Sequence, residues 1–261
     1  GIYVPMTSVG APKAVMDTIN KILIDKKIKI FTNTEIKDKS GANQVSSKDG
    51  AKFNYGFLIN TSGSYSDVIS NKFDVGQEYT MLPFRGLYWE LSNKSGINLN
   101  HLIYPVPDLR FPFLGIHTTS SIDGKIYLGP TASFGFGREH YRGMKGVNLL
   151  DTLNNLKYSG IQFIRNHDGF RNLALQEIFR LSKIGFAKEA RKILPNLKYS
   201  MLIPSSKAGI RAQIFDKSKG RLVNDFLAVK RDNSLHILNS ISPAWTCSFE
   251  MSKFICSEYT V

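Results

Sequence analysis

Between Gln77 and Thr131 the chain is a succession of short aromatic-rich segments, YTMLPFRG, LYWELS, HLIYPVP, FLGIHTT and KIYLGPT. Apolar and polar residues alternate along them, and a period of two buries one face of a strand. The stretch is therefore expected to form a largely antiparallel sheet. The Asp123-Gly124 pair between two of the segments is a hairpin signal, because both residues accept the positive φ angles that a tight two-residue turn requires.

The flanks have a different texture. Pro12 is placed to open an amphipathic helix reaching about Asp25, with Val15, Ile19, Ile22 and Leu23 at helical spacing and Lys13, Lys21 and Lys26 off that face. KIKIFTNTEIKD alternates as a strand does, and AKFNYGFLINTSG reads as a strand that becomes continuously apolar before the small-residue turn Asn60-Thr61-Ser62-Gly63. Residues from about Gly146 to Asn196 read as helices, with Leu149, Leu153 and Leu156 on one stripe and Leu173, Leu175, Ile178, Phe179 and Leu181 on another. Strands return in RAQIFD, RLVNDFLAV and LHILN. A last helix is expected from Pro243 to about Glu258, with Ser242 as its N-cap.

This order, α/β, then an antiparallel sheet with helices, then strand and helix again, is that of one domain inserted into another. The expected class is α/β (α+β). Residues 6–70 and 208–261 form one domain, and 71–207 the other. Gly1 to Pro5 reads as an extended segment within a strand, so the expectation is a chain whose beginning is missing.

Composition narrows the function. The 261 residues carry 34 Lys+Arg against 21 Asp+Glu, a net charge of +13, and only Cys247 and Cys256 as cysteines. Two cysteines build neither a disulfide framework nor a zinc ribbon, which suits a reducing, cytoplasmic setting. No H-E-x-x-H, C-x-x-C or G-x-S-x-G occurs, so no metal site and no serine nucleophile are expected. No apolar run reaches the roughly 18–20 residues of a membrane span. Gly135-Phe136-Gly137 begins like a dinucleotide fingerprint, but His140 stands where the third glycine belongs, and a loop is the better reading. The positive charge fits a nucleic acid, an anionic membrane or merely a basic surface. Zinc-finger spacing, RNA-binding aromatic motifs and basic runs of five are missing, so no nucleic-acid partner is expected.

Three features can receive an anionic ligand. The Asn60–Gly63 turn follows a buried strand and lets backbone approach a ligand. Arg211, preceded by Ala208-Gly209, offers a guanidinium fork. Ser242-Pro243 reads as a helix start with unbonded N–H groups. Each alone also reads as ordinary structure.

Together with Gly1-Ile-Tyr-Val-Pro5, PFRG at 83–86, HLIYPVPD at 101–108, FPFLGIH at 111–117, IDGKIYLGP at 122–130, AGIRAQ at 208–213 and LHILNSISPAWTCS at 235–248, they resemble the L-2-hydroxyglutarate dehydrogenase/oxidase branch of the D-amino-acid-oxidase-like FAD enzymes. The likeness runs along nearly the whole chain. It implies a truncated two-domain FAD-dependent oxidoreductase fold: a partial Rossmann-like FAD domain and an antiparallel-sheet substrate domain. The G-x-G-x-x-G unit of such proteins has no match here, and a native enzyme would need roughly 100–150 further N-terminal residues.

The resemblance implies oxidation of a 2-hydroxy acid, L-2-hydroxyglutarate first, by hydride transfer to FAD, with a quinone or oxygen as electron acceptor. An amine or amino-acid oxidase of the glycine or sarcosine oxidase kind is the alternative within the superfamily, and a basic nucleic-acid or anionic-lipid binding module the alternative outside it. Arg211 is the expected anchor for the carboxylate beside the reacting carbon, and Arg85 for the second carboxylate, with Tyr88 and Tyr104 as hydrogen-bonding neighbours. His117 is the expected base, ahead of His101 and His236. Ser62, Gly63, Gly209, Ser242, Pro243, Ala244 and Thr246 are the expected cofactor contacts. Trp245 departs from the family pattern, which has a small residue there, and NTS replaces an expected cysteine or alanine before Gly63. If the charge persists in the whole protein, peripheral attachment to the inner face of the cell membrane is expected.

Overall fold

The computed structural model describes residues 1–106, 108 and 115–259. Pro107 of HLIYPVPD and residues 111–114 of FPFLGIH lie outside the described residues. The segment before Pro12 forms no strand; Ile2 and Met6 within it are exposed. Helix α1 spans Pro12–Asp25 with proline in its first turn. The alternating KIKIFTNTEIKD is mostly irregular, and strand β1 begins only at Ile36.

β1 (Ile36–Gly41), β2 (Gln44–Ser47) and β3 (Lys52–Asn54) form a small antiparallel sheet. The apolar run that follows is broken at Tyr55-Gly56-Phe57, so β4 is only Leu58–Asn60, followed by the short helix α2 (Ser66–Asn71). The two expected strands YTMLPFRG and LYWELS are one, β5 (Tyr79–Leu91). β6 (His117–Ser120) and β7 (Ile126–Gly129) form the antiparallel hairpin anticipated at Asp123-Gly124. HLIYP instead runs without regular structure. β8 (Ser133–Phe134) pairs with β5 and precedes the helices α3 (Leu149–Arg165), α4 (Phe170–Arg180) and α5 (Lys183–Ala190). Asn148 caps α3 by accepting from Asp151 N–H at 3.0 Å, and Ser182 caps α5 by accepting from Gly185 N–H at 3.0 Å. β9 (Leu202–Asp216), β10 (Arg221–Leu222), β11 (Leu227–Arg231), β12 (Ser234–Asn239) and α6 (Ser248–Tyr259) complete the order.

The backbone of the fold is the antiparallel pair of β5 and β9, in register from Tyr79 opposite Asp216 to Leu91 opposite Leu202. They centre a sheet ordered β10-β9-β5-β7-β6. Leu82, Phe84 and Phe215 of this pair pack with Phe170, and Leu91, Leu128 and Leu202 pack with Phe186. Phe186 is fully buried, worth about 2–3 kcal/mol of hydrophobic transfer. A third sheet places β12 between β11 and β4, and β12 runs parallel to β4. A parallel pair joining positions 58–60 to 234–239 requires the intervening chain to leave and return.

One further expectation is corrected. The last helix does not begin at Pro243: residues 242–247 form turns and α6 starts at Ser248. Cys247 N–H is spent on Pro243 C=O and Ala244 N–H on Ile241 C=O, so Ser242 caps no helix and no helix dipole points from there. The Leu149, Leu153 and Leu156 stripe is helical, but it faces away from the sheet.

Candidate active site

One cleft of about 880 Å3 is bounded by the β5–β9 pair, β6, the turn after β4 and the 240–246 segment. It brings together Gly63, Arg85, Tyr88, Tyr104, His117, Gly209, Arg211, Ser242, Pro243, Ala244 and Thr246. Among the expected site residues, Ser62 is not in its lining. The Ser62 hydroxyl instead donates to Asn60 Oδ1 at 2.6 Å. Buried Asn60 also donates to Ser66 C=O at 2.9 Å, and so ties down the turn that presents Gly63. Of the weaker base candidates, His236 is fully buried in β12 and His101 stands outside the cleft lining. Trp245 lines the cleft half-exposed.

His117 has the geometry of a neutral base. Its Nδ1 lies 3.1 Å from Gly115 C=O. A carbonyl can only accept, so Nδ1 carries the proton and Nε2 keeps the lone pair. Burial pushes the imidazole below its ordinary value, and the charges of Lys207 and Arg211 add to this, while the bond to Gly115 opposes it. The ring is therefore unprotonated at neutral pH. Tyr104 stacks on it, with centroids 4.4 Å apart.

The two arginines stand on adjacent rungs, Arg211 opposite Phe84 and Arg85 opposite Ile210, and so leave opposite faces of the β5–β9 pair; both contribute to the cleft lining. Burial lowers both guanidinium groups from their ordinary value, which leaves them charged. Arg85 is short of acceptors. Its Nη1 lies 3.2 Å from His140 Nε2, but His140 Nδ1 accepts from Phe136 N–H at 3.0 Å. Nε2 must then be the protonated nitrogen, donating to Gly143 C=O at 2.8 Å. The Arg85–His140 contact therefore joins two donors, and buried Arg85 Nε has no partner among the described residues. A buried donor left unsatisfied costs about 1–3 kcal/mol.

The backbone leaves room for a ligand. Gly63 has φ +59°, and a Cβ added at Gly63 or Gly209 would meet nothing within 4 Å. Tyr88 and Tyr104 hydroxyls are held protonated, since burial raises both.

Sequence reasoning missed Glu177 and Tyr141, which also line the cleft. Glu177 Oε2 accepts from Ala132 N–H at 2.6 Å and Oε1 pairs with Arg180; burial still raises its carboxyl above the usual range, against both partners. Its spacing on α4 is that of any polar helix residue, and no sequence signal marks it. Arg138 was likewise unmarked. It ion-pairs with Asp67 Oδ1 at 2.5 Å and Asp151 Oδ1 at 3.2 Å, which ties α2 to α3 beside the cleft.

A chain with this site is similar to known proteins along almost its entire length. The sequence model of the family described as FAD dependent oxidoreductase matches residues 1–256. L-2-hydroxyglutarate dehydrogenase of Escherichia coli (strain K12) is 33% identical over 265 residues, covering 99% of this chain and 61% of that protein. The mitochondrial L-2-hydroxyglutarate dehydrogenase of Mus musculus is 34% identical over 242 residues, covering 89% of this chain and 51% of that protein. The chain thus spans about 61% of the length of the bacterial relative. Among solved structures, dithionite-reduced L-alpha-glycerophosphate oxidase from Mycoplasma pneumoniae with FAD bound superposes with a TM-score of 0.59 at 18% identity, over 88% of this chain and 51% of the other. That likeness establishes the fold.

Proposed function

Starting from the fact that the chain belongs to the FAD dependent oxidoreductase family, we propose that it supplies the substrate site and part of the flavin cradle of an enzyme oxidising L-2-hydroxyglutarate to 2-oxoglutarate. Supporting this reading, the Escherichia coli and Mus musculus relatives carry that activity in their names. The observation that carries it is the acceptor-poor Arg85 in one cleft with Arg211 and the Nδ1-protonated His117. Two cations and a neutral base are what a 2-hydroxy dicarboxylate needs.

Residues 6–70 and 208–261 hold the cofactor in this reading, and 71–207 the substrate. α2 and β9 run through the two boundaries and join the parts. Gly63, Gly209 and the turns from Ser242 to Thr246 would hold FAD, with open space at both glycines for its approach. FAD supplies the acceptor for the hydride. Arg211 binds the carboxylate beside the reacting carbon, and Arg85 the distal one through charge-assisted hydrogen bonds. Tyr88 and Tyr104 donate hydrogen bonds from hydroxyls that stay protonated. His117 Nε2 takes the hydroxyl proton as the substrate C–H electron pair departs, and the O–H electron pair becomes the new C=O bond. Holding the carbinol between these groups can contribute several kcal/mol to lowering the barrier.

The electrons pass on to a quinone or to oxygen. No helix among the described residues is long and apolar enough to cross a membrane; the charge of +13 supports peripheral attachment at the inner face of the cell membrane, where a quinone is within reach.

A substrate panel followed by flavin bleaching in the intact protein tests the reading. L-2-hydroxyglutarate is expected to bleach the flavin fastest, and preferential bleaching by glycine or sarcosine would overturn it.

A further inference from the structure

We propose that the outward face of α3 is the surface on which the protein docks to an anionic lipid bilayer. The helix is apolar on two sides: Tyr158 and Phe163 pack against the core with Leu82, Phe84 and Phe215, and a second apolar stripe faces outward. A helix on a soluble domain turns its apolar stripe to the core and its polar side to water. α3 buries Asn155, Ser159 and Gln162. Asn155 Nδ2 donates to Pro83 C=O and Gly135 C=O at 2.9 Å each, and Ser159 donates to Asn155 Oδ1 at 2.9 Å. These bonds lock that side onto β5. The opposite side carries Leu149, Leu153, Leu156 and Ile164, exposed by 71, 56, 51 and 75%. Spacings of four, three and eight residues put them on one stripe. Loop residue Met144, just ahead of the helix, is 82% exposed.

Charge identifies the occupant. The only acidic residue of α3, Asp151, is ion-paired with Arg138. The exposed charges on the helix are Lys157, directly after Leu156, and Arg165, directly after Ile164, with exposed Lys145 beside Met144. An apolar stripe edged by cations and carrying no unpaired carboxylate fits acyl chains below and anionic headgroups around it. A second copy of the chain fits worse, because a twofold axis through the face would bring its cations together without an acidic partner. The inference rests on the peripheral attachment proposed above and assigns that attachment to a particular surface.

The test is co-sedimentation of the intact, flavin-loaded protein with vesicles of phosphatidylethanolamine containing phosphatidylglycerol, against pure phosphatidylcholine. The wild type is expected to sediment with the first and not the second, with release as salt rises. Leu153→Glu/Leu156→Glu changes only exposed positions, and is expected to lower the bound fraction at least tenfold while the urea midpoint and flavin absorbance stay unchanged. Leu153→Cys labelled with an environment-sensitive dye should shift blue on the anionic vesicles. If the double variant binds as well as the wild type, or the dye does not respond, another surface docks and this proposal fails while peripheral attachment stands. If the wild type ignores anionic vesicles, the attachment reading fails and this proposal falls with it. A dimer that the double variant converts to monomer, without vesicle binding, would assign the face to a second copy and overturn the proposal.

Discussion

Tyr104 lies nearly flat on His117, with ring centroids 4.4 Å apart and planes 19° from parallel. The stack fixes the imidazole plane while Gly115 C=O fixes its tautomer, so orientation and tautomer of the ring are set by two different neighbours. His117→Asn is expected to slow flavin reduction by about 10²–10⁴-fold, and Tyr104→Ala by about tenfold through loss of orientation. Stopped-flow measurement of flavin bleaching distinguishes them. Because the folded imidazole titrates below 6.5, kcat/KM should rise with pH through a midpoint under 6.5 and be flat from pH 7 to 8. A midpoint above 6.5 would remove His117 as the base.

Arg85 and Arg211 should separate by substrate. Removing a charged hydrogen-bond partner costs about 1.5–3 kcal/mol, so Arg85→Met is expected to raise KM for the dicarboxylate by about ten- to hundredfold and to leave a short monocarboxylic 2-hydroxy acid unaffected. Arg211→Met should lower kcat/KM for both by orders of magnitude with FAD still bound. Steady-state kinetics on the two substrates reads the difference, and equal effects of Arg85→Met on both would displace it from the distal end.

The ion pair between Arg138 and Asp67 is nearly buried, at 10 and 6% side-chain exposure. Asp67 Oδ2 also accepts from Met81 N–H at 3.0 Å. Arg138→Met leaves that carboxylate buried without its cation, an arrangement that costs about 3–5 kcal/mol. A urea midpoint within experimental error of the wild type would show that the clamp carries no stability.

His236 gives the fold a pH limit. Its Nδ1 accepts from Asn60 Nδ2 at 3.1 Å and its Nε2–H donates to Ser234 at 3.1 Å, and burial lowers its pKa to about 4. The unfolded chain binds this proton near 6.5, so stability is full above pH 6.5 and falls as pH drops from 6.5 toward 4, by up to about 3 kcal/mol. Urea titrations at pH 7 and pH 5 should show the loss, and His236→Asn should flatten it. A midpoint that does not move in the wild type would contradict the buried neutral ring.

Local signals carried much of the architecture. Pro12 with a helical stripe marked α1 over Pro12–Asp25, and Asp123-Gly124 marked the β6–β7 hairpin, because both depend on residues close in sequence. Arg211, Arg85 and His117 were legible as chemistry-bearing residues through their motifs, and the fold brings all three to one cleft. The start of the last helix is not legible in the sequence, since Ser242-Pro243 has the composition of a helix start while the chain first makes turns to Ser248.

The sequence by itself determined α1, the β6–β7 hairpin and the helical run that begins with α3, but not the irregular course of HLIYP or of the segment before Pro12; it also marked which side chains can bind a carboxylate or take a proton, because period, turn chemistry and functional group reside in short stretches. Only the tertiary structure decided which face of a helix meets the core and which proton a histidine carries. The leucines of α3 are as apolar as any core stripe, yet Asn155 finds the carbonyls of Pro83 and Gly135, residues 72 and 20 positions away, and these bonds turn the leucines outward. The protonated nitrogen of His117 is likewise set by a carbonyl, and the unmet demand of Arg85 by the tautomer of His140, 55 residues along the chain. Hydrogen-bond partners brought together by folding have no periodicity to announce them, and they set which donors and lone pairs line the cleft.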